Sequence, residues 1–337
     1  MAIELYPEVP DGFTLREATE VDAEGIASVF SAAYPDDTTY PYANPKKAQN
    51  GLLNDDYFVT FAVEADNGDI AATASIRFNS VYTDNAEICK LAVKPDYQGN
   101  GLARALLQHR LGYLEDIGHS GPIFSAAVTE HPYSQQNLNS RGLMPVSFHK
   151  GLQTPFFGDQ PESQAIVLHE NSVSTEERPL YVPQRLRDAV EYAFGHFSDS
   201  YLNRDVRYIE LDVDEPEPTI ERDPELSGMG DWYHTAEGLE DALYSEGAHI
   251  MFAADMNSPD AKSLYEVAYK FGLTPVGVIP DWLHKDGENR DAVIFQYLKD
   301  DPDIDVEFIN GMKVLLDHLG YEYQIAAEHD DYWELIV

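Results

Sequence analysis

The sequence predicts an α/β chain built in two similar halves, each a mixed, mostly antiparallel sheet flanked by helices in α+β layers. Three observations predict this. Residues 86–118 read as an apolar strand, a glycine turn and an amphipathic helix. Around them the segments follow the order strand–helix, hairpin, strand–helix, strand–helix, strand. Finally, three segments recur later in the same order. Gly142-Leu143-Met144-Pro145-Val146 returns as Gly272-Leu273-Thr274-Pro275-Val276, an offset of 130. Ala165 to Leu168 returns as Ala292 to Phe295, offset 127, and Pro122 to Val128 as Ala248 to Ala254, offset 126. One short match is chance; three in order indicate a duplicated unit.

The elements follow in order. Phe13 to Arg16 alternates and reads as a strand. Thr19 caps a helix from about Val21 to Tyr34, with Ala23, Ile26, Ala27 and Phe30 inward. Pro35 to Asn54 is a loop with room for one short helix. Tyr57 to Glu64 and Ile70 to Phe78 are strands joined by the turn Asp66-Asn67-Gly68-Asp69. Ile88 to Val93 is a buried strand ended by Lys94-Pro95-Asp96. The helix opened by Gln98 to Ala103 carries a stripe of Ala103, Leu107, Leu111 and Leu114, flanked by Leu106 and Ile117.

A strand from Pro122 to Val128 and a short helix ending at Gly142 come next. Strands over Leu143 to Lys150 and Gln164 to His169 close the first domain, residues 1–170. Residues 171–183 are polar and proline-bearing and read as a linker. Residues 184–300 form the second domain: a helix over 183–197, a strand over 206–213, an acidic loop, a helix over 236–245 and the recurring strands. Residues 301–337 add a helix over 306–319 and two alternating stretches.

Charge narrows the function. There are 60 acidic against 22 basic residues, a net charge of −38. This argues against nucleic-acid binding, which needs a basic footprint. The acids are spread through both halves, and the composition resembles that of proteins from salt-loving archaea. No run approaches the ~20 apolar residues of a membrane span, and the start lacks the basic and apolar regions of a signal peptide. The single cysteine, Cys89, excludes an internal disulfide and fits a reducing cytoplasm. The eleven histidines show no paired ligand spacing, so no metal is expected.

Against that background residues 88–114 stand out. Lys90, Lys94, Arg104 and Arg110 outweigh Asp96 there, where the chain average for such a window is about −3. Unpaired N–H groups at a helix start, the helix dipole and side-chain-free glycines together favour an anion such as a phosphate. Two phosphate motifs are excluded: no Walker lysine follows, and Arg104 stands where a dinucleotide fingerprint needs glycine. The segment Leu91-Ala92-Val93-Lys94-Pro95 with Gln98-Gly99-Asn100-Gly101-Leu102-Ala103 resembles motif A of the GNAT N-acetyltransferase superfamily. The resemblance covers roughly residues 12–170.

The resemblance implies tandem GNAT-like domains, the second without a cofactor turn, since residues 232–238 contain nothing like 98–103. It implies that acetyl-coenzyme A is the cosubstrate, held by Leu91, Ala92, Val93, Gln98, Gly99, Asn100, Gly101, Leu102, Ala103 and Arg104. A backbone amide at Leu91 or its neighbours would face the thioester oxygen. Glu87 matches a family glutamate that acts as base. Alternation places it on one face with Cys89 and Leu91. Where the family has a thiolate-side tyrosine this chain has Leu138, and Tyr133 is the substitute; His131 falls near a family position that contacts the pantetheine arm. Tyr34, Tyr40 and Tyr42 fall on the acceptor side of the family's cleft. The implied reaction is direct acetyl transfer to an amine, carried by a small molecule or a protein, in the cytoplasm, with no nucleic acid and no membrane. Pairing as a homodimer stays open. The alternatives are an acetyl-coenzyme A sensor without turnover and an unrelated α/β protein that binds another phosphate compound.

Overall fold

Strand alternation and helix periodicity build the protein around mostly antiparallel sheet flanked by helices, seen here in a computed structural model. The structure describes residues 9–34, 40–79, 85–153, 162–173, 178–197, 205–212, 231–233, 235, 249–285, 287–298, 305–306, 308–321 and 324–325. Among them the chain divides into two compact units, one running to Ala126 and one starting at Ala127. The division falls well before residue 170, where the sequence places the end of the first domain.

The first unit begins with β1 (Phe13–Glu17) and α1 (Ala23–Ala33). Asp22, just before α1, accepts from the Thr19 N–H at 2.7 Å and takes both Arg16 guanidinium nitrogens at 2.8 Å. The short α2 (Pro45–Ala48) starts where Asn44 Oδ1 accepts from the N–H groups of Lys46 and Lys47, and it winds on through Gln49–Leu53. Strands β2 (Phe58–Ala65), β3 (Ile70–Asn79) and β4 (Asn85–Val93) pair antiparallel. After the helix α3 (Leu102–Asp116), β5 (Ile123–Val128) returns parallel to β4, with Ala86 opposite Ile123.

Alternation sends side chains to two faces. Ala62 and Ala92 meet Ile26, Ala27 and Phe30 of α1. Phe61, Val63, Ala72, Ala74 and Ile76 meet Leu102, Leu106 and Leu114 of α3. Each such large side chain contributes about 1.5–3 kcal/mol when fully buried. The stripe of α3 is turned in part from the expected one. Leu106, Leu107 and Leu114 are buried as expected, but Ala103 and Leu111 are only half-buried and Ile117 is half-exposed, while Leu102 and Arg110 join the inward face.

The second unit takes α4 (Tyr133–Asn139), β6 (Leu143–Gln153) and β7 (Glu162–His169). It continues with β8 (Leu180–Pro183), α5 (Arg187–Gly195), β9 (Val206–Ile209) and β10 (Asp231–Tyr233). Then come β11 (His249–Asp255), α6 (Ala261–Lys270), β12 (Thr274–Lys285) and β13 (Glu288–Leu298). Last are β14 (Asp305–Val306), α7 (Asn310–Leu319) and β15 (Gln324–Ile325). Its sheet runs β7-β6-β12-β13-β11-β10. Phe148 and Ala165 share a core with Val190, Phe252, Val278, Phe295 and Leu315.

Three expectations change here. Residues 178–183, read as linker, are structural: Leu180 and Val182 are fully buried and β8 pairs parallel with β9. The strand expected over 206–213 ends at Ile209. The helix expected over 183–197 starts only at Arg187. The acidic loop between 213 and 230 and the helix expected over 236–245 lie outside the described residues.

The recurring segments share their irregularities, and the register corrects the offset of β13 on β7 from 127 to 128, since Val167 faces Pro145 as Phe295 faces Pro275. β6 loses register against β7 after Pro145, and β12 against β13 after Pro275, 130 positions on. Gly151 has φ 59° and Asp281, also 130 on, has φ 54°. Gly151 N–H donates to Ser163 Oγ at 3.0 Å, as Asp281 N–H donates to Asp291 Oδ1 at 3.1 Å. β6 and β12 themselves meet at Ser147 and Gly277, the same offset apart. Among the described residues no helix is long and apolar enough to cross a membrane.

Candidate active site

The first unit brings Glu87, residues 91–93 and the 98–104 turn together on one strand–turn–helix. β4 ends where the Lys94 N–H donates to Ala71 O at 2.9 Å, and Pro95–Tyr97 then make one tight turn. Gly99 and Gly101 follow with φ 78° and 74°, a left-handed conformation that favours glycine. A Cβ at either would meet nothing within 4 Å, so the backbone there is open to an approaching group. Gly101 is the N-cap of α3 and offers no side chain to the helix start. That leaves first-turn amides, those of Leu102 and Arg104 among them, without intrahelical acceptors. Asn100 Nδ2 bonds back to Tyr97 O at 3.1 Å, and Gln98 Nε2 lies 3.5 Å from Val93 O, so both side chains brace the turn.

The local positive charge is distributed differently from its reading in the sequence. Lys94 Nζ is paired with Asp69 at 2.6 Å. Lys90 Nζ lies 5.4 Å from the centre of the Tyr42 ring. Arg110 is buried inside the unit, 1% exposed. Of the four cations, Arg104 is the exposed one in the first turn of α3.

β4 is not a regular strand. Ser75 pairs with Cys89 and Thr73 with Ala92, so two steps on β3 face three on β4. The extra residue is a β-bulge at Lys90, whose φ is 53°. The bulge corrects the expected alternation. Ala86 before it and Leu91 and Val93 after it join the α3-side cluster, whereas Ala92 joins the α1 side. Glu87 and Cys89 therefore share a face with each other but not with Leu91.

Glu87 is mostly buried and forms an ion pair at 2.5 Å with Arg77, its partner across the strand pair. Nothing in the local sequence near Glu87 signals Arg77, ten residues back on a hairpin. Burial, with Glu87 nearby, pushes the Cys89 thiol up to about 12, which keeps it neutral and fits a small apolar filler. Burial likewise raises the Tyr42 phenol. Tyr34 and Tyr40 stack at 4.7 Å, and Tyr40 packs on Phe30 at 5.1 Å, so these tyrosines form an aromatic cluster on α1.

His131 and Tyr133 belong to the second unit. Their rings lie 5.1 Å apart, Tyr133 opening α4. Leu138 is buried in the same helix. Among the described residues no group of three or more His, Cys, Asp or Glu is placed to hold a metal ion.

Residues 24–138 match the model of the acetyltransferase (GNAT) family. No curated protein matches the chain. Among solved structures it is similar to the ribosomal-protein-S5-alanine acetyltransferase from Vibrio fischeri, at 16% identity and TM-score 0.41, over 48% of this chain and 94% of that one. It is similar to the ribosomal-protein-S18-alanine N-acetyltransferase from Escherichia coli, at 22% and 0.40, over 48% and 96%. The spermidine N-acetyltransferase from Vibrio cholerae gives 17% and 0.38, over 47% and 92%. The family match falls on the bulged strand, the glycine turn and α3, so these are the part of the chain that matches the GNAT acetyltransferase domain.

Proposed function

We propose that the protein is an acyl-coenzyme A-dependent N-acyltransferase that moves an acetyl group to an amine, on a small molecule or a protein, in the cytoplasm. The observation that carries this reading is the bulged β4 running into an open, doubly left-handed glycine turn and an uncapped helix start. Acetyl-coenzyme A supplies an activated acyl group on a thiol leaving group. The amides of Gly99 and Gly101 and the start of α3 hold its pyrophosphate. An amide at the bulge, Leu91 or a neighbour, bonds the thioester oxygen as charge develops there. Glu87 takes the proton from the attacking amine, directly or through a water, and its pair with Arg77 keeps it on the site's face of β4. The coenzyme A thiolate leaves and takes up a proton from water.

Two variants test this. Gly101→Glu should abolish acetyl-coenzyme A binding in calorimetry while the protein stays folded, at a cost of roughly 1–2 kcal/mol for a side chain at a left-handed residue; wild-type binding would overturn the motif reading. Glu87→Gln should lower kcat roughly 10²–10⁴-fold with little change in cofactor affinity. Binding without turnover in the wild type would favour the sensor reading, which the apolar Leu138 suits and Glu87 does not.

We infer that the second half repeats the first without its cofactor turn. The shared bulge after proline, the shared left-handed residue and the shared amide bond beneath it support this. Because Phe148 and Ala165 are core residues of the second unit, a chain ended at Ser174 should be insoluble. A soluble, fully active shortened chain would show instead that the second half is independent.

A further inference from the structure

Arg110 occupies the centre of the buried stripe of α3, between Leu106 and Leu114, and is 1% exposed. An apolar residue would be the simple choice there, because an isolated buried cation is costly. No carboxylate among the described residues pairs with it. Its guanidinium is spent on backbone carbonyls: Nε donates to Leu106 O at 3.2 Å, and Nη1 to Ser75 O at 3.2 Å and Cys89 O at 3.1 Å. Burial pulls the group down to about 10, so it stays charged at neutral pH.

Ser75 and Cys89 are not arbitrary acceptors. They are the last regular pair of β3 and β4 before the bulge. The extra residue interrupts the ladder there, and carbonyls at an interrupted ladder need another donor. One nitrogen of Arg110 serves a carbonyl of each strand and so ties the two edges of the opening together. The Cys89 carbonyl also shares its peptide unit with the Lys90 N–H. A cationic donor on that carbonyl polarises the unit and strengthens the amide as a donor.

We propose that Arg110 is a positioning residue for the acyl site: from beneath the sheet it fixes the β3–β4 opening at Lys90 and Leu91 and keeps the amides there aimed at a bound thioester. The kinetic half of this assignment rests on the acyltransferase reading; the geometric half does not.

The experiment compares wild type, Arg110→Met, Arg110→Lys and, as a packing control on the same helix, Leu107→Ala. Hydrogen exchange of the Lys90 and Leu91 amides is measured on the free protein. Acetyl-coenzyme A affinity and kcat are measured in parallel. Arg110→Met should change exchange at both amides roughly tenfold or more relative to the control. It should lower kcat roughly 10- to 100-fold, the scale of a weakened oxyanion donor, while the cofactor Kd moves by less than about threefold. Arg110→Lys keeps the charge but not the fork, and should fall between the two. Exchange and kcat indistinguishable from Leu107→Ala would overturn the proposal. If Arg110→Met does not fold, Arg110→Lys decides: wild-type exchange and wild-type kcat in that variant overturn it equally. A wild type that binds but does not turn over acetyl-coenzyme A would remove the acyltransferase reading, and the exchange arm would still decide the role of Arg110.

Discussion

In β6 the left-handed residue is Gly151; in β12 the residue 130 positions later, Asp281, makes the same turn with a side chain. The backbone solution is shared, and the amide of each donates to the facing strand. The chemistry beneath differs. At Gly151 the acceptor is the Ser163 hydroxyl. At Asp281 it is the Asp291 carboxylate, and both carboxylates gather around the Arg178 guanidinium. Asn257 completes the knot: its amide nitrogen donates to Asp291 Oδ2 and to Pro179 O, each at 3.0 Å, and its Oδ1 accepts from the Asp291 N–H at 2.7 Å. A glycine meets the left-handed geometry at little cost; an aspartate is strained there and persists only if its surroundings hold it. The second hairpin has thus turned a bend into an anchor. What it anchors is the chain entering β8, which the first hairpin has no equivalent need to hold.

The largest expected effect breaks that anchor. Asp281→Asn keeps the shape and the tolerance of a left-handed backbone but removes the charge. Loss of one partner from a buried ion pair costs about 3–5 kcal/mol. Thermal unfolding should fall by well over 5 °C, since about 1 kcal/mol moves Tm by about 2–4 °C in a unit of this size. A variant as stable as wild type would show that the knot holds nothing.

The next effect tests the contact between equivalent positions. A Cβ on Gly277 would sit 2.2 Å from Ser147 Cβ and 2.6 Å from its Cα. Gly277→Ala should therefore cost about 1–3 kcal/mol, the usual range for overpacking. Ser147 Oγ now donates to Val276 O at 3.1 Å. The double exchange Ser147→Gly with Gly277→Ser should regain part of the loss if the two strands meet symmetrically. No recovery in a denaturation comparison would mean that only one side of the contact can carry a side chain.

A smaller effect sharpens the contrast at Gly151. Gly151→Ala puts a Cβ into a left-handed residue and should cost roughly 1–2 kcal/mol. Gly151→Asn should cost less, because asparagine tolerates that region. Equal losses would point to crowding rather than backbone strain.

The sequence makes some of these features visible and hides others for physical reasons. The strand, glycine turn and helix at 86–118 are legible because glycine spacing and apolar runs are local signals, and the repeat is legible because Pro145 and Pro275 keep their context. The rotation of α3 is not, because a periodicity reading assigns an arginine to solvent and Arg110 finds carbonyl partners 21 and 35 residues away. The face of Leu91 is misread because alternation assumes an unbroken strand and Lys90 inserts a bulge. Residues 178–183 read as linker because their proline and arginine look exposed; the partner that buries Arg178 lies 103 residues on. Local chemistry marks the turn that makes a site, whereas the contacts that brace it are long-range.

The smallest expected effect separates the hairpins by pH. His169 closes β7 opposite Leu143, and no histidine stands in β13. The His169 Nδ1 accepts from the Asn171 N–H at 3.3 Å, which requires that nitrogen to be unprotonated. Burial lowers the imidazole below its ordinary value, against a smaller upward pull from Glu170. His196 is lowered by burial as well, again against Glu170. A folded value below the unfolded one means that the unfolded chain takes up the proton first as pH falls. The stabilisation is therefore complete above the ordinary histidine value of about 6.5 and is lost as pH falls through the lower folded value. Wild-type Tm should therefore drop between pH 7.5 and 5.5, and His169→Gln should shrink the drop by under about 4 °C, leaving the parts that His196 and His109, also lowered by burial, contribute. An unchanged drop in the variant would place the acid sensitivity elsewhere than the first hairpin.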